Sequence, residues 1–330
     1  MNALTFKDFA TDQEVRWCPG CGDYATLKGV QRALADGGSV PEKTVFVSGI
    51  GCSSRLPYYV NTYGFHTIHG RAPAVATGVK LANPELEVWV VTGDGDGLSI
   101  GGNHLLHALR RNVDLNVLLF NNEIYGLTKG QYSPTSRPGT QSPTSPGGSV
   151  DAPITPGRFA MGAGATFFAR CVDIDQKGMP GLFNEAKQHQ GTSFVEILQN
   201  CIVYNKDVFD DVVAKKVAAE TQVHVQHGEP MLFGKEKNRG LRLNTQTLAL
   251  EPVTLGEDGV TLDDIAVHDE TNAVLAQMLV DLTGPVAMGV IHRRPAPAFD
   301  AAFWNAKPTE RRRQHVKSLL RTGNMLDRRA

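Results

Sequence analysis

Four short apolar stretches in this chain, residues 44–47, 88–91, 116–120 and 194–198, each run directly into a polar or glycine-rich cluster: SGIGCSSR, TGDGDG, NNEIYG and QNC. The stretches are rich in Val, Ile, Leu and Phe and apolar on both sides, as strands covered on two faces must be. Helical patterns separate them at residues 24–35, 74–81, 104–111 and 182–189, and a briefer strand is expected at 67–68. This alternation implies an α/β fold, a mostly parallel sheet with helices on both faces. Open sheets of that kind bind ligands in the crevice where loops converge past the carboxyl ends of the strands. Four unusual clusters at that one place mark it as the functional site.

The remainder of the chain is less regular. Residues 133–157 hold nineteen Ser, Thr, Pro or Gly among twenty-five, a composition that reads as a long loop. Beyond about residue 205 the alternation fades; 221–260 is polar and broken by Pro and Gly, and 261–282 reads as one or two helices. The expected organisation is therefore a strand–helix domain over 1–210 and an irregular C-terminal extension over 211–330, partly helical, with a basic tail. That tail, 311–330, carries seven Lys or Arg against one Asp. It reads as a solvated helix face, with a docking surface for an acidic electron carrier as the sharper alternative. Overall, 33 basic residues balance 34 acidic ones, so bulk attraction to nucleic acid is not implied. No apolar run approaches the ~18–20 residues of a membrane span. The first residues lack the cationic start and apolar stretch of a secretory signal, and a cytoplasmic protein is expected.

Gly93-Asp94-Gly95-Asp96-Gly97 ends a strand and leads into a helix, where glycines let the backbone approach a phosphate and the helix N-terminus favours negative charge. A nicotinamide fingerprint would carry an acid at the end of the next strand, but Asn121-Asn122 stands there. Two aspartates beside a diphosphate would repel it unless a divalent cation intervened. Carboxylate, amide oxygen and backbone carbonyl are hard ligands suited to Mg²⁺ held together with a diphosphate. Asp94 and Asn122, twenty-eight residues apart at the ends of successive strands, can supply the first two.

Five cysteines without a secretory signal argue against a disulfide framework. Cys18 and Cys21 form a C-x-x-C pair, while Cys52 and Cys201 lie singly past two strands. From spacing alone a zinc site, a [4Fe–4S] cluster and a redox dithiol all remain open. His69 ends the brief strand expected at 67–68, a placement open to a structural or a catalytic histidine. Arg55, just past the Cys52 cluster, is suited either to bidentate pairing with a substrate carboxylate or to a surface ion pair.

The GDG, an intervening strand–helix–strand and the NN resemble the motif of thiamine-diphosphate enzymes. Joined to the cysteines, WCPGCGD, SGIGCSSR, HTIHGRAPAVATG, GDGDGLSIGGNHLLHALRRN, NNEIYGLTKGQ and LQNC resemble the β subunits of 2-oxoacid:ferredoxin oxidoreductases of the 2-oxoglutarate type, over about residues 14–210. The resemblance implies a fold that binds the diphosphate half of thiamine diphosphate. It assigns Mg²⁺ to Asp94, Asn122 and the backbone of Ile124, and one [4Fe–4S] cluster to Cys18, Cys21, Cys52 and Cys201. Cofactor contacts are implied at Ile50, Gly51, Cys52, Ser53, His69, Gly70, Gly95, Asp96, Gly126 and Leu127, with His69 beside the thiazolium. Cys171 has no counterpart and reads as a core thiol.

The implied reaction is CoA-dependent oxidative decarboxylation of a 2-oxoacid, 2-oxoglutarate favoured, with electrons passed through the cluster to ferredoxin. This chain shows only the diphosphate-binding half, so a partner α subunit is expected to supply the pyrimidine-binding domain and its activating glutamate, in an (αβ)2 assembly. Alternatives are pyruvate or branched-chain substrates, a non-oxidative thiamine-dependent decarboxylase with a zinc or redox cysteine site, an electron-transfer or regulatory subunit with a vestigial thiamine fold, and a nicotinamide-binding protein.

Overall fold

The computed structural model describes residues 4–306. In chain order it begins with α1 (Asp23–Asp36), β1 (Thr44–Ser48), β2 (Tyr63–His66), α2 (Ala72–Ala82), β3 (Glu87–Gly93), α3 (Gly102–Arg111) and β4 (Asn116–Asn121). A small hairpin, β5 (Ile124–Tyr125) and β6 (Gln131–Tyr132), precedes α4 (Pro156–Gly162), β7 (Phe167–Val172), α5 (Gly178–Gln188) and β8 (Ser193–Leu198). Then come α6 (Asp210–Val213), α7 (Ala218–Thr221), β9 (Gln222–His224), β10 (Leu232–Phe233), β11 (Arg239–Asn244) and β12 (Ala249–Thr254). The described chain closes with α8 (Ala273–Val280), β13 (Val286–Arg293) and α9 (Phe299–Asn305).

Eight strands form one sheet in the order β2-β1-β3-β4-β8-β7-β13-β9, every pairing parallel except β7 with β13. The alternation of side chains along each strand divides the interior into two cores. Val45, Val47, Val88, Val90, Val117 and Leu119 face α2 and α3, whose Ala72, Ala76, Leu105 and Leu109 cover them. Phe46, Trp89, Val91, Leu118 and Phe120 face the other way, against Leu27, Val30 and Leu34 of α1 and Phe183 of α5. Both faces are covered, which is why β1, β4, β7 and β8 are buried at every residue.

The four long apolar stretches become β1, β3, β4 and β8. The brief strand expected at 67–68 lies instead at β2, where Tyr63 and Phe65 are exposed at the sheet edge and give no two-sided apolar signal. Its pairing reaches Thr67, whose N–H donates to Ser48 O at 2.9 Å. Strand β7 was not evident because Arg170 interrupts its apolar run; the guanidinium Nε is buried against Glu196 Oε2 at 2.8 Å. Helix α4 starts inside the loop segment, with Pro156 in its first turn, a position where a missing N–H costs nothing.

The C-terminal extension carries regular structure. It adds β9 and β13 to the main sheet and builds a three-stranded antiparallel sheet from β10, β11 and β12. Val223, Leu241 and Ile291 share one core with Val47 and Val90. The line at residue 210 thus separates the binding loops from later segments of a common interior. The basic tail at 311–330 lies outside the described residues. Among the described residues no helix is long and apolar enough to cross a membrane.

Candidate active site

Because β1, β3, β4 and β8 are parallel neighbours, their carboxyl ends abut and the clusters that follow them meet. There a cavity of about 250 Å³ opens, lined by Ile50, Gly51, Cys52, Ser53, His69, Asp94, Gly95, Asp96, Asn122, Ile124, Tyr125, Gly126 and Leu127 among others. Every cofactor contact expected from the sequence lies on this lining except Gly70. Gly70 sits one layer behind, its N–H donating to Asp96 Oδ1 at 2.6 Å.

Asp94 directly follows β3 and is 2% exposed. Its Oδ2 accepts hydrogen bonds from Thr135 Oγ1 at 2.6 Å and from the Ser133 hydroxyl. Burial pushes its carboxyl above the usual range, opposed by those hydroxyls and by backbone N–H groups. A desolvated carboxylate so arranged is stabilised by a positive charge placed in the cavity it lines. Across from it, Asn122 Oδ1 accepts the Ile124 N–H at 3.2 Å while its Nδ2 donates to Gln199 Oε1 at 2.9 Å. The amide oxygen keeps a second lone pair, and Ile124 contributes to the same wall. The donors present fit a hard divalent ion.

Asp96 has a different part. Its Oδ1 takes the Gly70 N–H and its Oδ2 takes Thr92 Oγ1 at 2.7 Å, so the carboxylate ties the loop after β2 to the end of β3. Tyr125 closes the floor, its hydroxyl donating to Gly95 O at 2.8 Å.

A second cavity of about 200 Å³ adjoins the first and shares Cys52, Asn122, Gly126 and Leu127 with it. Cys18, Cys21, Cys52 and Cys201 all line it, with Trp17, Arg55 and Gln199. The C-x-x-C turn is closed by Cys21 N–H on Cys18 O at 2.9 Å, and Trp17 Nε1 donates to Cys52 O at 2.7 Å. A β carbon on Gly126 would lie 3.5 Å from Cys201 Sγ and 3.7 Å from Cys52 Sγ, so glycine keeps the space between these sulfurs open. Burial, with Asp23 next in weight, pushes the Cys21 thiol far up; the same causes push Cys52 up to about 12. A cationic centre placed in the cavity would favour their thiolate forms. Among the described residues no three His, Cys, Asp or Glu side chains converge to hold a single metal ion.

His69 is exposed on the lip of the first cavity. Arg55 lines the thiol cavity rather than the first one, its Nε donating to Tyr59 Oη at 3.2 Å. His66 contacts Ser48 Oγ at 3.1 Å, and His104 and His107 belong to α3. Cys171 is buried in β7, apart from the other four thiols, and burial raises it. Residues at the site not singled out from sequence include Ser133 and Thr135, inside a segment read only as a loop, and Trp17, Tyr125 and Gln199, inside the quoted WCPGCGD, NNEIYG and LQNC.

Residues 49–197 match the family described as thiamine pyrophosphate enzyme, C-terminal TPP binding domain. The chain is 54% identical over 263 residues to 2-oxoglutarate oxidoreductase subunit KorB of Mycobacterium tuberculosis, a match covering 80% of this chain and 69% of the relative. It is 46% identical over 189 residues to 2-oxoacid:ferredoxin oxidoreductase 1, subunit beta, of Aeropyrum pernix, covering 57% of this chain and 59% of that one. A solved structure, 2-oxoglutarate:ferredoxin oxidoreductase from Magnetococcus marinus with 2-oxoglutarate, coenzyme A and succinyl-CoA bound, matches with a TM-score of 0.77 at 34% identity over 97% of each chain.

Proposed function

Because this chain belongs to the β-subunit family of the 2-oxoacid:ferredoxin oxidoreductases, we propose that it holds the diphosphate half of an active site converting a 2-oxoacid, CoA and oxidised ferredoxin to acyl-CoA, CO2 and reduced ferredoxin. The names of its relatives favour 2-oxoglutarate as the substrate. The observation that carries the reading is the wall of Cys52, Asn122, Gly126 and Leu127 common to the diphosphate cavity and the four-thiol cavity.

When bound, thiamine diphosphate supplies carbanion stabilisation and a [4Fe–4S] cluster supplies a one-electron outlet. Asp94 and Asn122 with the Ile124 carbonyl hold Mg²⁺, and Ser133 and Thr135 fix the Asp94 carboxylate. Ile50, Gly51, Ser53, Gly95, Asp96, Gly126 and Leu127 contact the coenzyme, with Gly70 supporting Asp96 from behind. Cys18, Cys21, Cys52 and Cys201 hold the cluster. His69, at the cavity lip, orients the substrate or moves a proton at its imidazole. Arg55 offers its guanidinium to a substrate carboxylate.

As a β subunit the chain works in a multi-subunit complex with an α partner. We assign to that partner the pyrimidine-binding domain and the glutamate that activates the coenzyme, in an (αβ)2 assembly. The test is viologen and ferredoxin reduction by the anaerobically co-purified complex over a panel of 2-oxoacids, with iron and sulfide analysis. CoA-dependent reduction with 2-oxoglutarate, and negligible turnover by the β chain alone, is the expected result. Decarboxylation without reduction, in a colourless zinc protein, would overturn the reading.

A further inference from the structure

Gln199 follows β8 directly and is 1% exposed. Its backbone N–H donates to Asn121 O at 2.9 Å, which pins it beside the turn that carries Asn122. Its Oε1 accepts Asn122 Nδ2 at 2.9 Å, and its Nε2 donates to Cys21 Sγ at 3.2 Å. The orientation of both amides is dictated from one end. The Ile124 N–H can only donate, so it meets Asn122 Oδ1 and turns the Asn122 NH₂ toward Gln199. Gln199 must then present oxygen to Asn122 and nitrogen to the sulfur, and its second Nε2 proton faces Asn200 O at 3.4 Å. On the far side a β carbon on Gly22 would stand 3.0 Å from Gln199 Cγ, so the side chain is packed in place.

We propose that Gln199 is a positioning residue common to both centres: it orients the Asn122 amide oxygen toward the metal ion and gives the Cys21 sulfur an N–H···S hydrogen bond. This inference rests on the functional reading above, in which Asn122 holds Mg²⁺ and Cys21 holds the cluster. Two consequences follow from one side chain. Without the acceptor at Oε1 the Asn122 amide is free to rotate its oxygen out of the metal site. Without the donor at Nε2 the thiolate loses a partner that stabilises the reduced, more negative cluster, and the reduction potential falls.

Two variants separate these effects in the intact αβ complex. Gln199→Leu removes both contacts. Gln199→Glu keeps an oxygen for Asn122 Nδ2 and, as a carboxylate, has no proton for Cys21. Calorimetric titration with thiamine diphosphate and Mg²⁺ is expected to show roughly 10–100-fold weaker binding for Gln199→Leu and near wild-type binding for Gln199→Glu. A redox titration followed by electron paramagnetic resonance is expected to place both clusters at more negative potential than wild type. A tenfold change in the reduction equilibrium reads as about 59 mV for this one-electron couple. Wild-type potential in both variants, or wild-type coenzyme affinity in Gln199→Leu, overturns the inference. Should Gln199→Leu fail to assemble, the potential of Gln199→Glu decides: unchanged, it overturns the assignment. A wild-type complex with no cluster signal would refute the functional reading itself, a separate outcome.

Discussion

Gly70 and Gly101 meet backbone to backbone: a β carbon on Gly70 would stand 2.4 Å from the N and Cα of Gly101. Gly70 also adopts φ +67°, a left-handed conformation that a β carbon disfavours. This contact sets the loop bearing His69 against the start of α3 and lets the Gly70 N–H reach Asp96.

Gly70→Ala is therefore expected to cost roughly 3 kcal/mol or more, from overpacking and backbone strain together. Thermal unfolding measures it. Gly78→Ala, in α2 with nothing within 4 Å of its β carbon, is the control and should be neutral or stabilising by up to ~1 kcal/mol. Equal losses in the two variants would contradict the contact.

Asp94→Ala should abolish measurable binding of thiamine diphosphate with Mg²⁺. Thr135→Val, which removes the hydroxyl 2.6 Å from Asp94 Oδ2, should weaken it by roughly tenfold. Isothermal titration gives both. Undiminished binding in Asp94→Ala would remove the aspartate from the metal site.

Among the cysteines, Cys18→Ala, Cys21→Ala, Cys52→Ala and Cys201→Ala should each lose the visible absorption and paramagnetic signal of a [4Fe–4S] cluster. Cys171→Ala should retain both, at a stability cost of about 1 kcal/mol for the shrunken core side chain. Iron and sulfide content per chain reads the difference directly.

His189 gives the apo chain a pH dependence. Its imidazole is held down to about 4, first by burial and then by the Arg293 charge, and its Nε2 lies 2.8 Å from Thr166 Oγ1. Between about pH 4 and 6.5 the unfolded chain binds a proton that the folded one refuses, so stability rises with pH across that window. The contribution is full above pH 6.5 and is lost as the pH falls toward 4, up to about 3 kcal/mol. Denaturant unfolding of wild type and His189→Gln at pH 4.5 and 7.5 checks it: the substitution should flatten the slope.

Local chemistry made much of this site readable beforehand. Asp94, Asn122 and Cys52 stand within four residues of the ends of β3, β4 and β1, and Cys18 and Cys21 form a C-x-x-C pair just before α1; such patterns have few structural uses. The supports around them carried no comparable signal. Ser133 and Thr135 lie in a segment whose composition says only loop, yet both reach Asp94. Arg170 breaks the apolar run of β7, and its partner Glu196 sits on the neighbouring strand, 26 positions away.

Sequence by itself determined the parallel α/β class, the strand-end location of the site and the chemical type of the groups we propose as metal ligands. These follow from periodicity, glycine placement and residue chemistry within a few positions of one another. Tertiary structure alone decided that β9 and β13 complete the main sheet, that the two cavities share a wall, and that Gln199 reaches both Asn122 and Cys21. Such contacts join residues as far as 178 positions apart, and their geometry exists only after the strands have stacked and burial has chosen each hydrogen-bond partner.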